Sequence, residues 1–63
     1  MTFSSQQLSQ EAAAATAALA GKIVVRLERH RESELLVEFS DGTRLFIDGT
    51  ASHLELSITG GLA

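Results

Sequence analysis

Cysteine, proline, tryptophan and tyrosine are all missing from this 63-residue chain. Each absence narrows the possibilities. Without cysteine there is no disulfide framework and no thiolate metal site. Long apolar runs are lacking too, so no segment reads as a membrane span. Basic residues are few. Five Lys and Arg against eight Asp and Glu leave a formal net charge of −3. A general nucleic-acid binder needs a basic surface to neutralise phosphates, and an anionic membrane attracts one, so neither partner is expected.

What remains is globular in composition, with 44% hydrophobic residues. Residues 1–63 read as one small domain. A domain of this size buries only ~60% of its unfolded surface and is marginal alone. With disulfides and thiolate metals excluded, oligomerisation is the remedy left. Ala18-Leu19-Ala20 imitates a signal cleavage site. No Lys or Arg precedes Lys22, and Glu11 interrupts the would-be apolar stretch. A secretory signal needs a basic start and an unbroken apolar run, so the expected location is the cytoplasm.

The first third carries helix signals at both ends. Ser4 and Gln7 have the spacing of a capping box, and Phe3 and Leu8 that of a hydrophobic staple. The alanine-rich run 12–18 is strong helix-forming material. Gly21 can take the left-handed conformation that ends a helix. The spacing predicts a helix over about 5–20, with Leu8, Ala12, Ala15 and Leu19 facing the core. Its other side is barely polar, which makes the helix a second possible contact surface.

After Gly21 the period becomes two. Strands are expected at about 22–29, 33–40, 43–48 and 53–59, short connections making them antiparallel neighbours. The fold class is therefore α+β, one N-terminal helix packed on a four-stranded antiparallel β-meander. Asp-Gly-Thr occurs twice, at 41–43 and 48–50. A calcium loop would need a ladder of oxygen ligands ending in a distal Glu, which is lacking, so both units read as turns. For the first, a three-residue loop at 40–42 with Gly42 in the left-handed region sets Val37 opposite Leu45 and Leu35 opposite Ile47. A two-residue loop would split the apolar faces. Centring the first hairpin on Arg31 pairs Leu27 with Leu35 and Val25 with Val37. Pairing Asp48 with His53 sets Ile47 beside Leu54 and Leu45 beside Leu56. One face is then almost wholly apolar, ready for the helix.

The same registers put Val24, Leu36 and Phe46 on the outer face as a diagonal apolar patch, an expected interaction surface. Catalytic candidates are sparse. The bases of suitable pKa are His30, at the Arg29-His30-Arg31 tip, and His53, expected to face Asp48. A Ser–His–Asp site would need Ser52 or Ser57 to converge with His53 in a cleft. Asp48, His53 and Glu55 have no diagnostic metal spacing. No catalytic, cofactor or metal site is expected. The expected function is a non-enzymatic protein–protein interaction module, self-associating through the outer sheet face. A homo-oligomer, a dimer for preference, or another protein is the partner. The alternative is a small ligand or anion binder using Arg29, His30, Arg31 and His53.

Overall fold

A computed structural model describes residues 4–60. Helix α1 spans Ser5–Leu19, and four strands follow: β1 Val24–Arg31, β2 Glu34–Phe39, β3 Arg44–Gly49 and β4 Leu54–Thr59. The strands form one antiparallel sheet in the order β1-β2-β3-β4. This is the α+β meander that the patterning predicts.

The helix starts as its capping signals require. The Ser4 hydroxyl accepts from the Gln7 amide at 3.1 Å, and the Gln7 side chain accepts from the Ser4 amide at 2.9 Å. The staple partner Phe3 lies outside the described residues, as do residues 61–63. At the other end, the Lys22 amide donates to the Leu19 carbonyl across Gly21, whose φ of 80° suits glycine.

The β2–β3 turn closes as a three-residue loop. The Phe39 amide donates to the Thr43 carbonyl, and the Gly42 amide to the Phe39 carbonyl. Gly42 has φ 90°. Asp41 accepts from the Thr43 amide at 2.9 Å and is ion-paired with Lys22. Those donors hold its carboxyl far below the usual carboxylate range, Lys22 being the largest cause. Directly after Lys22, the Ile23 carbonyl accepts from the Ser40 amide. Helix exit, β1 and the central hairpin are thus tied at one point. Phe39 and Thr43, two of the three buried described residues, sit there.

The outer hairpins differ from their expected registers by two residues. Leu27 lies opposite Val37, not Leu35, and a further irregularity between Glu28 and Arg31 sets Arg31 opposite Glu34. Leu45 lies opposite Ile58, not Leu56, and Ile47 opposite Leu56. Both connections are tighter than expected. Glu32-Ser33 joins β1 to β2, and the Arg29 guanidinium donates to the carbonyls of Glu32 (2.6 Å) and Glu34 (3.1 Å) to brace it. Between β3 and β4 the turn is Ala51-Ser52, not an Asp-Gly turn. The Thr50 amide donates to the His53 carbonyl, and the Thr50 hydroxyl accepts from the His53 amide. Asp48 and Gly49 belong to the strand, so the second Asp-Gly-Thr unit is a turn only in its threonine. Because side chains alternate with period two, a two-residue slip preserves facing. The apolar face survives with its rows moved.

That face is not covered as expected. Helix α1 lies along the β4 margin, where Glu11, Ala14 and Ala15 border a shallow cleft with Leu56 and Ile58. None of its described residues is buried. The chain exposes 4746 Å², whereas a compact monomer of 6.7 kDa exposes about 3,900 Å². Its radius of gyration is 12.6 Å, against about 10.6 Å for a compact chain of this length.

Two outcomes follow for the tie point. Gly42→Ala is expected to cost about 1–2 kcal/mol, because an L side chain is disfavoured at this φ, and chemical denaturation measures it. Asp41→Asn tests the clamp through pH. The folded-state pKa of Asp41 is depressed, so its contribution is full above the unfolded value of about 3.9 and is lost as pH falls below it. Asp41→Asn therefore lowers the melting temperature at pH 7, and the gap to the parent narrows in acid.

Candidate functional site

Two sheet faces compete as the functional surface. The first carries Glu28, Leu36, Phe46 and Ser57 in one row, with Arg26, Glu38, Arg44 and Thr59 on one side and Arg31, Glu34, Asp48 and Glu55 on the other. The slipped register explains itself electrostatically here. Glu38 sits between Arg26 and Arg44, accepting from Arg26 Nε at 3.0 Å and lying 3.5 Å from Arg44. Glu34 faces Arg31 at 3.1 Å. The expected register would have set Glu28 beside Glu34 and Arg26 beside Leu36. Both paired carboxyls are pulled down, Glu38 chiefly by Arg26 and Glu34 chiefly by Arg31.

The predicted patch on this face is not assembled. Leu36 is buried at 6% exposure and Phe46 is partly buried between strands. Val24 does not share their face. A register shift at Val25 places Val24 directly opposite Phe39, on the other side of the sheet. One extra residue in β1 turned that side chain over, and nothing in the alternation signals it.

The second face collects the remaining strand positions. Leu27, Val37, Leu45 and Ile58 form one row, and Leu35, Ile47 and Leu56 the next. Val24 joins at one end and Leu54 at the other. Leu27 is 62% exposed, Leu54 63% and Val24 53%. No acidic strand residue lies on this face, although the chain has eight acidic residues and Glu11 of α1 borders it at the β4 margin. Five of them occupy the opposite face, at 28, 34, 38, 48 and 55. The sequence pattern did identify this surface, but as the seat of the helix, not as an exposed one.

The anion-binding candidates are largely engaged. Arg29 holds the hairpin carbonyls, Arg31 pairs with Glu34, and His30 lies 3.5 Å from Glu28. His53 is not opposite Asp48; Glu55 is. Its Nδ1 is 3.1 Å from both the Thr50 and Ser52 hydroxyls, and its Nε2 is 3.5 Å from Glu55. Serine, histidine and carboxylate do meet, but through Nδ1 within a tight turn. That arrangement fixes the turn, and Ser57 stands in the Phe46 row instead. Among the described residues, no three His, Asp or Glu side chains converge as a metal-ligand set. Among the described residues, no helix is long and apolar enough to cross a membrane.

Compared with known protein families, curated proteins and solved structures, the chain matches none.

One carboxyl departs upward. Asp48 is raised, first by desolvation and then by Glu34 across the ladder. A raised carboxyl penalises folding above its folded pKa, and the penalty vanishes below its unfolded value of about 3.9. Asp48→Asn is therefore expected to raise the melting temperature at pH 7 and to leave it unchanged near pH 3, as read by circular dichroism.

Proposed function

We propose that the chain is a small non-enzymatic protein–protein interaction module that self-associates through its apolar sheet face. The observation that carries this reading is the exposure of Leu27 and Leu54 on a continuous aliphatic surface whose strand positions carry no acidic residue. Soluble monomers rarely leave such a patch open, and open patches mark interaction sites. The marginal size of the chain supports the same conclusion, because a second contact supplies the burial that the three buried described residues do not. The docking surface differs from the outer patch suggested by patterning alone. There, Leu36 is already covered and charged pairs flank Phe46.

The alternative, anion binding at the 29–31 tip, has less support. Arg29 and Arg31 each spend donors on their own hairpin, and donors already satisfied gain little from an added anion.

The test is absolute mass in solution over a dilution series. Self-association is expected to persist into the low micromolar range. Leu27→Glu removes about 1.5–3 kcal/mol of apolar burial from each copy and adds a charge to the contact. The dissociation constant is expected to rise at least a hundredfold with the far-ultraviolet spectrum unchanged. Ser57→Arg, on the other face, is expected to leave the assembly intact. A monomeric parent chain, or an assembly broken by Ser57→Arg and not by Leu27→Glu, would refute this surface.

A further inference from the structure

The arrangement of the assembly can be carried one step further, on the footing of the self-association just proposed. We infer that the apolar face is occupied by the same face of one second copy, forming a closed two-layer dimer in which sheet packs on sheet. Four features of the molecule point to this occupant.

The first is area. The chain exposes about 800 Å² more than a compact monomer of its mass would. A standard stable interface buries about 800 Å² on each partner. The excess of the whole chain is thus of the size that one such contact removes.

The second is charge. The chain is net negative, and its acidic strand residues all lie on one side of the sheet. Two copies meeting through the other side bring no strand carboxylates together, and Glu11 stands only at its β4 margin. Two copies meeting through the acidic side would bring five carboxylates of each copy, at 28, 34, 38, 48 and 55, into the contact against three arginines, at 26, 31 and 44. The aliphatic rows carry no basic residue either, which disfavours nucleic acid and anionic lipid as occupants, since both are negative.

The third is closure. Only one of the two sheet faces is apolar, so once it is covered no second sheet face of that kind is left to recruit a third copy. An isologous contact of this kind closes on itself instead of propagating. The aliphatic rows have the composition of the inner layer of a β-sandwich, whose sheets stand about 10 Å apart.

The fourth concerns the helix. Exchange of α1 between copies would be another way to cover the sheet. The stripe α1 offers is mostly alanine, and Ala14 and Ala15 already border Leu56 and Ile58 of the same chain. Few large apolar side chains are left on it to fill a partner's surface. The partner's Leu, Val and Ile rows are the better fit in volume.

Because the chain has no cysteine, single thiols report the arrangement cleanly. Val37→Cys and Leu45→Cys place a thiol on the two central strands of the apolar face, and Ser57→Cys places one on the acidic face. Each is treated with a short bis-maleimide at a concentration where the parent chain is associated. Most of the Val37→Cys or Leu45→Cys chain is expected to convert to a covalent dimer, and Ser57→Cys to remain single. A mixture of Leu8→Cys and Val37→Cys chains separates the alternatives. Predominant cross-linking between them, with no homotypic Val37 or Leu45 product, would overturn sheet-on-sheet packing in favour of helix exchange. Mass that keeps rising with concentration beyond two copies would overturn closure. Both results leave self-association standing. A monomeric parent would remove it along with the arrangement. If Val37→Cys loses its strand signal, Leu45→Cys and the mass of the unmodified chain decide the question.

Discussion

Asp41 is the constraint on which the rest of the molecule hangs. Its carboxylate accepts from the Thr43 amide within the turn and pairs with Lys22 from the segment leaving the helix. One side chain therefore does a local and a long-range task. Locally it fixes the loop that lets Gly42 adopt positive φ, and so sets the β2–β3 register. At long range it ties the start of β1 to that hairpin, beside the Ile23–Ser40 backbone bond. Phe39 and Thr43 are buried at this junction because three chain segments converge there. Away from it the chain has little depth.

The shallow core follows from the architecture. A four-stranded sheet has two faces, and one helix can cover only part of one. Here the electrostatic ladder protects Leu36 on one side, with long Arg and Glu side chains arrayed around it. On the other side the helix sits at the β4 margin and leaves β1 open. A chain without disulfides at this size must find its burial elsewhere. The segregation of carboxylates to the already satisfied face leaves the open face suited to a neutral, aliphatic partner.

The histidines illustrate how proximity differs from a site. His53 has hydroxyls at one nitrogen and a carboxylate near the other. All of these groups lie within six residues of one another in the chain. Such nearness is the product of a tight turn, where Thr50 supplies the bonds that hold the backbone. Catalysis needs the same groups to converge on a third party in a cleft.

Much of this molecule was legible before any fold was drawn. The capping box, the alanine run and Gly21 bounded the helix to within a residue or so, because these signals act through neighbouring backbone atoms. The Ser40–Asp41–Gly42 loop was recoverable because only one loop length kept Val37 and Leu45 on a common side. Period-two alternation then assigned most strand residues to the correct face. The outer registers were not recoverable, since a slip of two residues preserves facing and is decided by ion pairs such as Arg26–Glu38 and by Arg29 and Thr50 bracing their turns. Nor was the placement of Val24, which depends on one unpaired residue in β1. Tertiary structure alone decided that the apolar face stays open, because the reach and position of the helix depend on the Lys22–Asp41 tie and on no local preference of the helix itself.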